Sequence, residues 1–520
     1  MAAVIAGLCR RLGRAGLVAC GMTALGACGP RPLALPVPPV DGNGRSARAQ
    51  LVREIDSLVR DVRFANAHWG VLIVHPERGD TVYAHNADKL FVPASNQKLV
   101  TGAVALAQLG PDFRTRTAVL ARGPVRDGTL EGDLVLVGRG DPSWSDAMVG
   151  EAMLPLRDLA DSVQRRGIRR VRGRVVVATG HFRGPRLGFG WDWDDLEYAY
   201  GAPVDAVLLN EGLARIVVQG AGAAGQPATV SVLPTPAAAR VRMALAPTLP
   251  QPDSAGVDVT WDDDDRAYVL RGAVGVGKRL AVRVAMREPA RAVSAAWLSA
   301  LDERGVEVTS GSATDTSAAM LVGDTLTVHA SPPLADVLRF FEKPSQNQLG
   351  EQLLRIIGLE RAGVGSADSG LAVVRRQLAE WGVDSAAVVP RDGSGLSRHN
   401  FVAPRALVRI LDAMRQREAL ARVFRDALPV AGVDGTLANR MRGTPAQGTV
   451  QAKTGFVDRV RSLSGYVTTR NGETLLFSAL CNNWTTDVRE VERVQDEIAA
   501  RLAAWRYRGP ADDVRPAAPR

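Results

Sequence analysis

The stretch from Phe91 to Ala103 reads FVPASNQKLVTGA and places Ser95 and Lys98 three residues apart. Residues at positions i and i+3 share one face of a helix, so a helix beginning here would bring the lysine amine to the serine hydroxyl. A serine hydroxyl attacks well only when a neighbouring base takes its proton. A single Ser-x-x-Lys is also common on solvated helix surfaces, so its meaning depends on the rest of the chain.

Two further motifs follow in order along the chain. Ser345-Gln-Asn347 is the only Ser-x-Asn of the sequence, and Lys453-Thr-Gly455 is the only Lys-Thr-Gly. In such a set Ser345 can relay a proton to a leaving amine, while Asn347 can donate to a substrate carbonyl and help hold Lys98. The ordered set therefore indicates nucleophilic catalysis by a serine.

The third motif suits the far end of a peptide substrate. A strand that carries Lys453 and Thr454 can pair with an extended peptide, and a cation beside a hydroxyl favours a terminal carboxylate. A second cation also lowers the pKa of a neighbouring lysine, so Lys453 would help Lys98 to act as a base. We expect the backbone N–H groups of Ser95 and Phe456 to form an oxyanion hole.

Hydrophobic spacing and turn residues predict the elements that carry these motifs. Helices are predicted over residues 48–62, 98–109, 154–166, 292–304, 345–357, 404–415 and 487–505. Strands are predicted over residues 69–75, 81–85, 134–137, 174–177, 267–270, 450–454, 462–469 and 474–481. Asn471-Gly472 predicts a tight hairpin between the last two strands.

The 520 residues are too many for one hydrophobic core, and the length suggests about three domains. Ser95 and Ser345 are 250 residues apart (345 − 95), and residues 112–328 between them are mostly short β-like runs separated by Gly and Asp turns. The net charge is +9, but no basic run is interleaved with aromatic residues. Nucleic-acid binding is therefore not expected.

The N-terminus has the pattern of an export signal. Arg10, Arg11 and Arg14 precede an apolar stretch, residues 15–25, which is too short to span a bilayer. The stretch ends in Leu-Gly-Ala-Cys28, which resembles a bacterial lipobox. We therefore predict a periplasmic protein that is cleaved before Cys28 and anchored to a membrane by a lipid on that cysteine; a plain signal peptide is the alternative.

The sequence predicts three segments at the two ends of the chain. Residues 1–27 are predicted to be the lipoprotein signal peptide, and residues 28–47 a Pro-rich tether. Residues 509–520 are predicted to be a disordered tail. Cys481 ends an apolar run and is predicted to be a small core residue without a disulfide partner.

Several stretches of the chain carry a family resemblance. They are Lys343-Pro-Ser345-Gln-Asn347, Asp392-Gly-Ser-Gly-Leu-Ser-Arg398-His-Asn400, Val433-Asp-Gly-Thr-Leu437, Ala452-Lys-Thr-Gly455, Gly138-Arg-Gly-Asp-Pro142 and residues 191–203. They resemble the D-alanyl-D-alanine carboxypeptidase/endopeptidase family, the low-molecular-mass class C penicillin-binding proteins. The matching stretches run from about Trp69 to Asn483.

The resemblance implies an α/β (α+β) fold. Its catalytic part would be a β-lactamase/transpeptidase-like domain, an antiparallel sheet flanked by helices, formed by residues 48–111 and 329–508. A large β-rich insertion, residues 112–328, would split this domain and form two accessory domains.

The resemblance also implies a reaction. Ser95 would attack the carbonyl of the penultimate D-alanine of a peptidoglycan stem peptide, or that of a peptide cross-link, and water would hydrolyse the acyl-enzyme. β-Lactams would acylate the same serine as inhibitors, and neither a metal nor an organic cofactor is expected. Arg398 would touch the peptide stem, and Thr454 and Gly455 would help to bind the substrate. No pattern in the sequence sets an oligomeric state.

The chain departs from the family at two places. Phe456 stands where the family often has Thr or Ser, so the wall of the groove would be bulkier. The stretch Ala178-Thr-Gly-His-Phe182 lacks the acid that the family commonly places near a side-chain amine of the substrate.

Two alternative functions use the same scaffold. A β-lactamase or esterase would need rapid deacylation, but the chain has no Glu-x-x-Leu-Asn, and its second motif begins with Ser345 instead of Tyr. A non-catalytic cell-wall-binding protein would not need the complete set of motifs. Two acidic stretches, residues 191–195 and 262–265, are interpreted as solvated turns, with a cation site as the alternative.

Overall fold

The computed structural model describes residues 44–235, 238–251 and 256–506. Before the insertion, the helices and strands are α1 (Gly44–Val59), β1 (His68–His75), β2 (Asp80–His85) and α2 (Gln97–Leu109). In the insertion they are β3 (Arg116–Arg122), β4 (Val125–Arg126), β5 (Thr129–Leu130), β6 (Asp133–Val137), α3 (Asp146–Val149), α4 (Leu154–Arg165), β7 (Arg170–Val171), β8 (Val175–Ala178), β9 (Leu213–Gln219), β10 (Thr229–Leu233), β11 (Val241–Leu245), β12 (Val257–Asp262), β13 (Ala267–Gly272), β14 (Arg279–Ala285), α5 (Pro289–Asp302), β15 (Glu307–Val308), β16 (Ser312–Asp315) and β17 (Asp324–Ala330). After it they are α6 (Leu334–Glu342), α7 (Asn347–Ala362), α8 (Ala367–Glu380), β18 (Val388–Val389), β19 (Phe401–Val402), α9 (Pro404–Arg415), α10 (Glu418–Ala427), β20 (Val450–Val457), β21 (Val460–Thr468), β22 (Thr474–Asn482) and α11 (Val488–Ala504).

A five-stranded antiparallel sheet unites the two ends of the chain in the order β2–β1–β22–β21–β20. Eight of the nine residues of β22 are buried, so both faces of the sheet are covered. Leu476 and Leu480 pack into one core with residues of α2 and α9. On the other face, Gln495 of α11 donates to the Ala479 carbonyl at 3.0 Å.

The insertion forms a second core. Its main sheet has the order β16–β8–β6–β3–β17, and β17 pairs antiparallel with β3, so the strands that enter and leave the insertion lie side by side. Helices α4 and α5 pack together, and α5 contacts β8 and β16. The buried side chains of this core come from residues 119–326, whereas those of the first core come from residues 72–106 and 334–480.

Most predicted elements are present, with shifted ends. The first helix spans residues 44–59 instead of 48–62, so the last four residues of the predicted tether are helical. The helix predicted from residue 345 begins at Asn347, because Ser345 has a left-handed φ of 66° that a helix cannot include. Gly472, with φ of 84°, turns the predicted hairpin between β21 and β22.

Other predictions can be compared with the structure only in part. Cys481 is buried, as predicted for a small core residue, and burial raises the pKa of its thiol. The signal peptide, Cys28 and the tail after residue 508 lie outside the described residues. Within the described ranges, none of the helices combines the length and the apolar character needed to cross a membrane.

Candidate active site

Ser95, the predicted nucleophile, lies in a single 3-10 turn, Ala94–Asn96, that leads into α2. The Asn96 amide donates to the Lys453 carbonyl at 3.0 Å and to the Ser462 hydroxyl at 2.9 Å, and this hydroxyl donates to the Pro93 carbonyl at 2.6 Å. These bonds join the turn to β20 and β21. The position of Ser95 is therefore fixed by the edge of the central sheet as well as by its own helix.

The Lys98 amine lies at the centre of the site and is fully buried. Its Nζ is 2.9 Å from Ser95 Oγ, 2.7 Å from Asn347 Oδ1 and 2.6 Å from the Ser394 carbonyl oxygen. A neutral amine has two N–H groups and one lone pair. When Lys98 is neutral, the Asn347 and Ser394 oxygens can accept its two N–H groups, which leaves the lone pair for the Ser95 hydroxyl. The contacts suit a lysine that takes the proton of Ser95.

The surroundings of Lys98 lower the basicity of its amine. Burial, followed by the positive charge of Lys453, lowers its pKa to about 7. The carboxylates of Glu342, Asp392 and Glu351 act in the opposite direction. At neutral pH a substantial fraction of this lysine is therefore unprotonated.

Strand β20 presents the third motif beside the nucleophile. Lys453 is fully buried, and burial lowers the pKa of its amine, an effect that Glu342 opposes. The Thr454 hydroxyl donates to the Thr436 hydroxyl at 2.7 Å. A Cβ at Gly455 would lie 3.0 Å from the backbone nitrogen of Ser95, so only glycine allows the strand to approach the nucleophile this closely.

Two predicted binding residues lie at the rim. The ring of Phe456 is about half exposed (52%), and the Arg461 guanidinium lies 4.1 Å from the ring centroid. Arg398 donates to the Asp458 carbonyl at 2.9 Å, in the turn between β20 and β21. The structure thus joins Arg398 to the hairpin that carries the third motif, and its contact with a peptide stem remains a prediction.

Ser345 lies apart from the hydrogen-bond network. Within the described parts of the chain its hydroxyl has no hydrogen-bond partner, whereas Asn347, two residues later, contacts Lys98 directly. Ser345 is half-buried, and its left-handed backbone turns the chain into α7. Its role as a proton relay stays a prediction.

A buried loop that follows β18 completes the site. The three motifs did not identify the two acids, Asp392 and Glu351, that hold this loop in place. Asp392 accepts the backbone N–H groups of Gly395 at 2.8 Å and Ser397 at 2.7 Å and so holds the turn of this loop. Glu351 accepts the N–H groups of Gly393 at 2.8 Å and Ser394 at 3.0 Å. These bonds aim the Ser394 carbonyl at Lys98. The resemblance of residues 392–400 to the family was the sequence feature that could have indicated this loop.

The insertion also reaches the site. The Asn347 amide donates to the Tyr200 carbonyl at 3.0 Å, and the Gln348 amide donates to the same oxygen at 3.0 Å. The Trp191 indole donates to Asp392 at 3.1 Å, so the interpretation of residues 191–195 as a solvated turn was wrong for this tryptophan. In the second acidic stretch, Asp262 ends β12 and is half-buried, and residues 263–265 form an exposed turn, as predicted.

The geometry defines a class of protein. A serine beside a buried lysine of lowered pKa, facing a strand with a second buried lysine, is the arrangement of a penicillin-recognising serine enzyme.

The chain matches known proteins over most of its length. Residues 51–505 match the D-Ala-D-Ala carboxypeptidase 3 (S13) family. A D-alanyl-D-alanine carboxypeptidase of Actinomadura sp. (strain R39) is 35% identical over 490 residues, which cover 90% of this chain and 87% of that protein. The structure of penicillin binding protein 4 (dacB) from Haemophilus influenzae matches with a TM-score of 0.73 and 25% identity, covering 86% of this chain and 99% of that chain.

The chain therefore belongs to the D-Ala-D-Ala carboxypeptidase 3 (S13) family. This confirms the resemblance found in the sequence, the transpeptidase-like fold and the assignment as a serine-type hydrolase.

Proposed function

We propose that Ser95 is the acylated residue of this carboxypeptidase and Lys98 its general base. The observation that carries the proposal is the set of three contacts around the Lys98 amine, which leaves its lone pair for the serine hydroxyl. Ser95 Oγ would attack the carbonyl of the penultimate D-alanine while Lys98 takes its proton. Terminal D-alanine leaves with a proton on its amine, and water then hydrolyses the ester.

The remaining motif residues bind the substrate and stabilise charge. The N–H groups of Ser95 and Phe456 would donate to the oxyanion, since Gly455 brings their two segments together. Lys453 and Thr454 would hold the terminal carboxylate, and Ser345 would relay the proton to the leaving amine. The free hydroxyl of Ser345 is consistent with a partner that arrives with the substrate.

The proposed substrate is the peptide of peptidoglycan. Cleavage of a cross-link, an endopeptidase activity, uses the same acyl-enzyme with a different leaving amine. β-Lactams would acylate Ser95 because they mimic the D-alanyl-D-alanine dipeptide. No cofactor enters these steps.

We also propose where the enzyme works and how its chain is divided. The signal pattern before Cys28 supports export to the periplasm with a lipid anchor. The two separate cores support a catalytic domain, residues 48–111 and 329–508, that is split by accessory domains, residues 112–328.

The test is labelling of the chain without its signal and tether by a fluorescent penicillin, together with release of D-alanine from a peptide ending in D-alanyl-D-alanine. The parent is expected to hold a stable label and release D-alanine, and Ser95→Ala is expected to do neither. Ser162→Ala, at an exposed serine of the insertion, is the matched control. Label lost within seconds would favour a β-lactamase, and an unlabelled parent would favour a non-catalytic cell-wall-binding protein.

A further inference from the structure

Glu342 is a buried carboxylate without an evident partner. It is the last residue of α6 and is fully buried, and neither of its oxygens has a hydrogen-bond partner within the described residues. An isolated buried charge is costly, so a carboxylate in such a place needs nearby opposite charge. The groups that interact with it electrostatically are Lys453 and Lys98, the two buried cations of the active site.

The space for this carboxylate is provided by helix α2. A Cβ at Gly102 would lie 2.6 Å from Glu342 Oε1. Residues four apart share one face of a helix, so the carboxylate lies against the face of α2 that carries Lys98. Glycine at this position therefore leaves room for the acid beside the lysine.

The other acids near Lys98 have partners of their own. Lys98 faces Lys453 and three carboxylates, those of Glu342, Asp392 and Glu351. Asp392 and Glu351 accept backbone N–H groups of the loop that follows β18. Glu351 also pairs with the buried Arg355, at 3.3 Å. Glu342 has no such partner among the described residues, and it is the carboxylate that acts on Lys453.

We propose that Glu342 is a positioning residue for catalysis, a buried counter-ion that keeps Lys453 cationic for the substrate carboxylate while Lys98 gives up its proton to become the base. The inference rests on the proposed roles of the two lysines. The acid balances one positive charge, so a site with two buried amines can hold one of them protonated and the other neutral. It touches neither the substrate nor the serine, and acts through the lysines.

The proposal predicts the direction of a change in pH dependence. Burial raises the pKa of Glu342, whereas Lys453 and Lys98 lower it; the carboxylate in turn raises the pKa of both lysines. Removal of its charge therefore lowers both lysine pKa values. Acylation needs neutral Lys98 and protonated Lys453, so the rising and the falling limbs of its pH profile both move toward lower pH.

The experiment measures the second-order rate constant of acylation by a fluorescent penicillin as a function of pH. Glu342→Gln keeps the size of the side chain and removes its charge. Both limbs of the profile are expected to move to lower pH by about 1 pH unit or more, since a nearby opposite charge changes a pKa by about 1 to 3 pH units. Asp336→Asn, an exposed acid on the same helix, is the matched control and is expected to leave the profile in place.

A Glu342→Gln profile that superimposes on that of the parent would overturn the inference, because an acid that is neutral at the working pH has no charge to lose. An unlabelled parent would instead overturn the proposed function. Gly102→Ala covers the case in which Glu342→Gln does not fold. Its methyl group displaces the carboxylate, and the other atoms nearest to it lie at 3.4 Å and beyond. The same direction of change is expected for it, and an unchanged profile would again contradict the inference.

Discussion

The chemistry of single residues in this site depends on burial. An exposed lysine is protonated at neutral pH and cannot take a proton from serine, whereas Lys98 is buried beside the second cation, Lys453. The contacts that hold its N–H groups, from Asn347 and the Ser394 carbonyl, also orient its lone pair. Low basicity and fixed orientation thus arise from the same packing.

This view makes acylation depend on pH in a defined way. The pKa of Lys98 is lowered to about 7, and the neutral fraction that acts as a base rises as the pH rises through that value. The acylation rate constant of the parent enzyme is therefore expected to increase about tenfold per pH unit below this value and to fall again at higher pH, where Lys453 loses its proton. Stopped-flow measurement with a chromogenic penicillin tests this. A rate that does not change between mildly acidic and neutral pH would show that Lys98 is not the base.

Gly455 supports a second prediction at this scale. The change Gly455→Ala places a methyl group 2.1 Å from the Ser462 hydroxyl oxygen, 2.7 Å from the Pro93 carbonyl oxygen and 3.0 Å from the Ser95 nitrogen, so the turn that carries Ser95 and its Ser462 support must shift. A displacement of about 1 Å at a reacting group costs roughly 100-fold in rate. We expect acylation to fall by at least this factor, measured at saturating label with thermal melting as the check on folding.

The matched control for this change is Gly222→Ala. No atom lies within 4 Å of a Cβ at that position, and its φ is not left-handed. If Gly455→Ala is acylated at the parent's rate, β20 can move away from the turn without displacing Ser95.

At the scale of elements, helix α7 and the loop of residues 392–400 form one unit. Glu351, in the second turn of the helix, accepts two backbone N–H groups of the loop and pairs with Arg355. The loop in turn supplies the carbonyl that holds Lys98. The helix therefore supports the base through the loop as well as through Asn347.

Glu351→Ala tests this unit. The change leaves two buried N–H groups without an acceptor and Arg355 without its carboxylate, so we expect the free energy of unfolding to fall by about 3–5 kcal/mol. Acylation should slow as the Ser394 carbonyl loses its support. Denaturant unfolding and labelling rates measure the two effects.

Glu360→Ala is the matched control on the same helix, because its ion pair with Arg139 is partly exposed, and such pairs contribute about 0–1 kcal/mol. Equal losses of stability for the two variants would show that the buried carboxylate has no special role.

The sequence predicted the elements well where the signal is local. Short apolar runs and Asn471-Gly472 predict β21 and β22 within about two residues, because both patterns act between neighbours along the chain. The left-handed turn at Ser345 was not predicted, since it depends on packing between α6 and α7. The three motifs predicted residues that the structure brings together, but Glu342 and Glu351 were missed because an acid on a helix looks the same in sequence whether it faces solvent or a buried lysine.

At the scale of the whole molecule, the insertion is hydrogen-bonded to the candidate active site. Gln348 is fully buried, and its amide reaches the carbonyls of Ala199 and Tyr200 in the insertion, at 3.2 and 3.0 Å. The Asn347 amide shares the Tyr200 oxygen, and its other atom, Oδ1, contacts Lys98. A continuous chain of hydrogen bonds thus leads from the insertion to the base.

Gln348→Ala tests whether this connection matters. The change removes the donor to the insertion segment and leaves Asn347 as its remaining anchor at Tyr200. We expect acylation to slow by roughly fivefold or more, since each lost neutral hydrogen bond costs about 1 kcal/mol. Trypsin is expected to cleave faster at Arg183 and Arg186, which are exposed at the start of the same segment.

The acylation rate and the cleavage rate together distinguish an effect of the insertion on catalysis from a simple loosening of the inserted segment. Gln164→Ala removes one exposed hydrogen bond within the insertion and should change neither rate. Faster cleavage with unchanged acylation in Gln348→Ala would mean that the insertion only covers the site. Slower acylation together with faster cleavage is expected, because the amide that orients the base takes its own orientation from the inserted segment.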